Sequence, residues 1–117
     1  MSEAWNDAQP IYRQLRDRVV AMILDGDLRE GEAVPSVRQV AVDYRINPLT
    51  VSKAYQDLVD EDLLEKRRGL GLYVREGARE RLLDLERRRF LADEWPVIRA
   101  RIERMGLALP ELLAKEP

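Results

Sequence analysis

The chain has 117 residues with 20 Lys and Arg against 22 Asp and Glu, a formal net charge of -2, so any case for a polyanionic partner rests on where the charges sit. Cysteine and histidine are both absent (Cys 0, His 0), which excludes disulfides, thiolate metal sites, the commonest zinc ligand and the commonest general base. With 45% hydrophobic and 36% charged residues the composition is globular, fitting one ordinary domain or a smaller one of about 65 residues with a helical extension.

The leading segment, Met1-Ser2-Glu3-Ala4-Trp5-Asn6-Asp7, is polar and acidic rather than basic and then apolar, so no signal peptide is expected. The longest uncharged apolar run, Val19 to Leu24, is too short to span a bilayer. A cytoplasmic protein with no membrane association is therefore expected. Pro10 can open a first helix, because its missing N–H would have no partner there, and Ile11, Leu15, Val19, Met22 and Ile23 follow at helical spacing until Gly26. Asp27 to Glu32 reads as a turn, followed by an extended Ala33-Val34-Pro35.

Ser36 and Gln39 form a capping box that starts a second helix, with Val37, Val40, Ala41 and Tyr44 as its buried stripe. Asn47 is a good N-cap and Pro48 a good first residue for a third helix, with Ile46 placed to staple onto Val51. Val51, Ala54, Tyr55, Leu58 and Val59 form that helix's inner stripe, which turns Leu49, Thr50, Ser52, Lys53 and Gln56 outward. From Val34 to Ala54 the only acid is Asp43, whereas Asp57 to Asp62 is an acidic patch. Leu63 to Lys66 and Leu72 to Arg75 read as two strands around the basic, glycine-containing turn Arg67-Arg68-Gly69-Leu70-Gly71.

Beyond Ala78 the composition turns to Arg, Glu and Leu, and Leu91, Trp95, Ile98, Ile102, Met105, Leu109 and Leu112 recur at alternating four and three, a packing seam. Pro96 lies inside it and either kinks one long helix or starts a new one after Trp95. Gly106 is a stop, and Pro110 can open a last short helix through Leu113.

Two helices joined by a short corner, the second polar at its front, fit a helix-turn-helix whose second member enters a DNA major groove, with the hairpin as a wing. The front of that helix offers unpaired N–H groups to phosphate, and Thr50, Ser52 and Lys53 are short or flexible enough to reach base edges. Asn47 is less free to read a base if its amide caps the helix. Taken singly, each feature has an ordinary explanation. Ser52, Lys53 and Gln56 fit a solvated helix face, Thr50 fits backbone bonding, Arg38 fits an exposed helix position, and Arg-Arg-Gly fits a charged turn. Their joint order is what carries the reading.

The run "PIYRQLRDRVVAMILDGDLREGEAVPSVRQVA" together with "INPLTVSKAYQDLVDEDLLEKRRGLGLYV" resembles the DNA-binding domain of GntR-type bacterial transcription regulators. "PSVRQ", "NPLTV", "AYQDL" and "RRGLGLYV" match in spacing, and the resemblance covers Pro10 to Val74. The short helical remainder is similar to the YtrA-like branch, which carries a brief dimerisation segment in place of a large ligand-binding domain. The resemblance implies a mainly α fold with a small β-hairpin: a winged helix-turn-helix over 10–75, followed by a short helical dimerisation segment over 76–117. It implies DNA contacts from Ser36, Arg38, Asn47, Pro48, Leu49, Thr50, Ser52 and Lys53, and from Arg67, Arg68, Gly69 and Gly71 of the wing. Dimerisation falls to Leu91, Trp95, Ile98, Ile102, Met105 and Leu109.

This chain departs from the family pattern in three places. The corner usually has glycine where Arg45 stands, which demands either a turn conformation of a non-glycine residue or a different turn. Asp62 replaces a glycine before the first wing strand. Leu49 stands where the branch often has Asn, so an apolar contact, such as one to a thymine methyl, replaces a hydrogen bond.

The expectation is a homodimeric repressor or regulator on double-stranded DNA with a two-fold symmetric site, needing no cofactor or metal. Its switching is open: a small-molecule effector between subunits, a partner protein, or expression level alone. The alternative is a winged-helix module that binds a protein instead of DNA. An enzyme is disfavoured: "GLGLY" lacks the third glycine of a dinucleotide fingerprint, no P-loop is present, and no pair of catalytic side chains stands out.

Overall fold

Pro10 and Gly26 bound α1, Ile11–Asp25, as their positions predict, Gly26 closing it in the left-handed conformation (φ 87). In this computed structural model, which describes residues 5–115, the opening Met1 to Ala4 of the segment read as polar lie outside the described residues, as do positions 116 and 117. Leu15, Val19 and Ile23 form the buried face of α1, while Met22 is half-buried and Ile11 exposed at the helix start.

The second helix, α2, spans Val37–Tyr44, and the Ser36 hydroxyl accepts from the Gln39 N–H at 3.0 Å. Only this half of the expected capping box forms. The Gln39 amide donates forward to Asp43 Oδ1 at 2.8 Å, one turn along the same face, instead of turning back to the Ser36 backbone. The third helix, α3, spans Pro48–Asp60 with Pro48 in its first turn and Asn47 as N-cap. Val51, Ala54, Tyr55 and Leu58 are buried on it. Ile46 packs against the same core.

Both non-glycine departures turn out to be left-handed residues: Arg45 at φ 56 and Asp62 at φ 62. Each closes a helix with a six-to-one backbone bond from the residue that follows it: Ile46 N–H to Ala41 O at 3.0 Å, and Leu63 N–H to Leu58 O at 2.9 Å. Ile46 and Leu63 are the apolar residues that such closures turn back onto the core, and Leu63 is fully enclosed there. The left-handed backbone costs roughly 1–2 kcal/mol for an L-residue; the bond and the burial offset it.

Strands β1, Leu64–Arg67, and β2, Gly71–Val74, pair antiparallel with Leu64 opposite Val74 and Arg67 opposite Gly71. The connection Arg68-Gly69-Leu70 needs a left-handed residue, which Gly69 supplies at φ 74. The extended segment before α2 docks on the outer edge of β2: Val74 N–H donates to Glu32 O at 2.8 Å and Val34 N–H to Leu72 O at 3.0 Å. Ala33 bridges Tyr73 in the same ladder. Tyr55 then ties that segment to α3, its hydroxyl donating to Pro35 O at 2.7 Å. Burial, with a smaller contribution from Tyr44, pushes the Tyr55 pKa up to about 12 from 10.0. At the far end of α3, Arg16 of α1 grips both carboxylate oxygens of Glu61, with its Nε 2.9 Å from Oε2.

Residues up to Leu82 form one compact unit and those from Leu83 a second. The first takes in the start of α4, Ala78–Arg89, whose Ala78 and Leu82 are buried. In the second, α4 passes through a π-helical turn, Phe90–Glu94, into α5, Trp95–Arg104, and a short α6, Leu109–Leu113, follows. Of the two alternatives, Pro96 opens a new helix: it lies in the first turn of α5, which the π-turn joins to α4. The widened turn, closed by Trp95 N–H to Phe90 O, accommodates a ring that would otherwise clash with the carbonyl four residues back. Gly106 (φ 70) ends α5. Among the described residues no helix is long and apolar enough to cross a membrane.

Tyr55→Phe is expected to lower stability by about 1 kcal/mol in urea unfolding, the usual net value of one hydrogen bond. Because the folded Tyr55 pKa lies above its unfolded value, its contribution is complete below pH 10 and is lost as pH rises toward 12. Alkaline unfolding between those values should accordingly be shallower in the Phe variant, as followed by circular dichroism.

Candidate nucleic-acid interface

The front of α3 is set by its cap. The Asn47 side chain accepts from the Leu49 N–H at 2.8 Å, and the Asn47 carbonyl takes the Thr50 N–H at 2.9 Å. Asn47 is thus a capping residue, and its amide oxygen is occupied. Pro48, Leu49, Ser52 and Lys53 are exposed on this end, Leu49 at 76%, while Thr50 is half-buried.

Two of the longer polar side chains on α3 are held along the protein surface. The Lys53 ammonium lies 4.2 Å from the ring centroid of Tyr12 on α1, a cation–π contact. Gln56 donates to Asp60 Oδ1 at 2.9 Å, one turn further on. The Tyr12 contact was not foreseen, because two residues 41 positions apart on different helices meet only once α1 packs across α3.

Arg38 and Pro48, both read as contact residues, share an open groove of about 610 Å³ on the elbow between α2 and α3, with Val37, Ala41, Val42 and Ile46. Ser36 and Gly71 share a second cleft of about 220 Å³ where the wing meets the start of α2; Val34, Pro35 and Tyr55 form its floor and Leu70 its rim. The hairpin and the two helices therefore converge, with Arg38 and Ser36 on the same helix start.

Within the wing the two arginines differ. Arg67 is fixed, its guanidinium 4.1 Å from the Tyr73 ring centroid and its Nε donating to Glu65 Oε2 at 3.1 Å. Strand alternation puts Glu65 and Arg67 on one face, and the register puts Tyr73 opposite Glu65, so this stack was legible once the hairpin was aligned. Arg68, Gly69 and Leu70 project at the tip, Leu70 at 67% exposure. An apolar tip residue was not singled out from the sequence.

The acidic patch at the C-terminal end of α3 is largely tied up. Glu61 holds Arg16, Asp60 holds Gln56, and Asp62 pairs with Arg75 at 3.0 Å. The N-terminal end of α3 and the patch lie at opposite ends of the same helix, so the front keeps its bias away from negative charge. A further feature not foreseen is an aromatic clasp at the N-terminus: Trp5 meets Tyr44 edge-on at 6.0 Å, with the Arg18 guanidinium 4.0 Å over the Trp5 ring.

In the second unit Leu91, Ile98, Met105 and Leu109 are exposed, Trp95 and Ile102 half-buried, and none of the described residues of this unit is buried. Phe90 and Trp95 stack within it at 6.4 Å. Within the described residues of this unit, the seam read from the sequence is thus a largely exposed apolar strip.

Residues 11–74 match the sequence profile described as bacterial regulatory proteins, gntR family. Over 75 residues the chain is 40% identical to the HTH-type transcriptional repressor YtrA of Bacillus subtilis, covering 64% of this chain and 58% of that protein, so the likeness spans somewhat over half of the relative's length. Among solved structures, a transcriptional regulator from Oenococcus oeni superposes with a TM-score of 0.72 at 30% identity, covering 92% of this chain and 88% of the other. YtrA from Sulfolobus acidocaldarius, a GntR-family transcription factor, gives 0.61 at 30% identity, over 91% and 96%.

Asn47→Ala is expected to cost about 1 kcal/mol, since the helix loses its cap, whereas Asn47→Asp or Asn47→Ser retains most of the stability. Urea unfolding of the three variants checks the assignment of Asn47 to capping.

Proposed function

Since the chain belongs to the gntR family of bacterial regulatory proteins, in its YtrA-like branch, we propose that it is a sequence-specific DNA-binding regulator of transcription and no enzyme. It acts in the cytoplasm as a homodimeric repressor on a two-fold symmetric operator. The observation that carries this reading is the convergence of the exposed front of α3, the start of α2 and the wing, with the acids Asp43 of α2 and Glu65 of the wing already bonded to Gln39 and Arg67.

In this reading 10–75 is the DNA-binding domain. The first turns of α3, Asn47 to Lys53, enter a major groove, and the helix start presents N–H groups to phosphate. Arg38 and Ser36 contact the adjacent backbone, and Arg67, Arg68, Gly69 and Gly71 bring the wing to the minor groove. Lys53 and Arg67 reach DNA only by leaving Tyr12 and Tyr73, partly exposed contacts of modest strength.

The segment 76–117 pairs two copies. Supporting this is the uncovered strip of Leu91, Trp95, Ile98, Ile102, Met105 and Leu109, since apolar surface on this scale is lowered in energy by burial against a partner. A two-fold pair sets the half-sites about one helical turn apart, roughly 34–36 Å, or multiples of it.

Selection of bound duplexes from a random pool tests DNA binding, symmetry and half-site spacing together; a palindromic motif is the expected result. Binding should fall steeply with added salt, and Arg38→Ala should weaken all sequences alike while lowering the salt slope by about one per protomer. Binding insensitive to salt would instead favour a protein partner for the same fold. Ile98→Glu is expected to convert the dimer to a monomer in light scattering, with helicity lost from the second unit alone and DNA affinity reduced by at least tenfold through loss of the second half-site.

A further inference from the structure

We infer that Leu49 is the base-discriminating residue at the front of α3 and that it reads a thymine through its 5-methyl group. This rests on the DNA-binding reading proposed above and names the chemistry by which that site selects sequence.

The side chains that discriminate bases by paired hydrogen bonds are Asn, Gln, Arg and Lys. On α3 each one present is committed elsewhere. The Asn47 amide oxygen is taken by the Leu49 N–H at 2.8 Å, and losing that bond would uncap the helix. Gln56 is bonded to Asp60 at 2.9 Å and sits more than two turns back from the tip. Lys53 lies over Tyr12, turned toward α1, and once released from that ring its ammonium is a point charge on a flexible stem, suited to a phosphate. Pro48 has no donor. The hydroxyls of Thr50 and Ser52 can serve any base edge and so choose among them weakly.

Leu49 remains. It is 76% exposed, in the first turn, and the cap fixes the backbone from which it projects. Of the groups on major-groove edges, the thymine methyl is the one that gains from an apolar neighbour, and polar edges facing Leu49 would lose water without replacement. Leu49 therefore selects thymine both by attraction and by exclusion.

The test takes the duplex selected from the random pool and replaces its thymines one at a time by deoxyuridine, which removes the methyl and leaves the pairing edge intact. One position in each half-site should lose about fourfold in affinity, the value of one buried carbon, and the symmetric double replacement on the order of fifteenfold. Leu49→Ala, at an exposed position, should fold normally by circular dichroism and bind the thymine and deoxyuridine duplexes equally. A selected duplex on which every replacement is neutral would leave DNA binding standing and overturn the role of Leu49. So would a Leu49→Ala variant that keeps the same sensitivity. Failure to select any duplex would remove the DNA-binding reading and this inference with it.

Discussion

The corner Arg45-Ile46-Asn47-Pro48 governs the geometry of the whole first unit. Arg45 turns left-handed, Ile46 closes α2 through the Ala41 carbonyl, and Asn47 and Pro48 start α3 in a fixed direction. No residue in this stretch is free to adopt a second arrangement at low cost, because Ile46 is held by the core on one side and Pro48 by its ring on the other. The same device recurs at Asp62-Leu63, which aims the hairpin. The positions of the α3 tip and of the wing thus follow from two helix endings, each fixed by one backbone bond and one apolar side chain.

Around this frame, the long-range ties are few and well placed. The backbone ladder between 31–34 and β2, together with the Tyr55 hydroxyl on Pro35, holds the start of α2 against the wing. Arg16 and Glu61 hold α1 to the far end of α3. Polar bonds thus surround an apolar core in which, among the described residues, no polar or charged residue is buried, so no fully buried charge has to be compensated there. The exposed tip of α3 is thereby presented by a rigid support, which is what a site that discriminates between bases requires.

The second unit follows a different logic. Its helices carry ion pairs such as Arg88 with Asp84 on the surface, yet the apolar strip along them is largely exposed within this unit. Helices of this length gain most of their stability from packing an apolar face. In the proposed dimer, pairing and folding of this segment are accordingly coupled, and the π-turn at Phe90–Glu94 lets the strip continue past Pro96.

Local chemistry was decided in the sequence: Pro10, Ser36, Asn47 and Pro48 start their helices, Gly26 and Gly106 end theirs, and the stripes of α1 and α3 point inward at the spacing that three and four residues impose. These signals are legible because they act within one turn of chain. The half-formed capping box at Ser36, the left-handed Arg45 and Asp62, and the π-turn before Pro96 were legible only as tensions, each with more than one local solution. Tertiary structure chose among those solutions, because burying Ile46 and Leu63 offsets a backbone cost that local propensity alone would avoid. It alone also decided which polar side chains at the front of α3 are engaged: Tyr12 lies 41 residues from Lys53, and only the packing of α1 across α3 brings that ring beneath the ammonium.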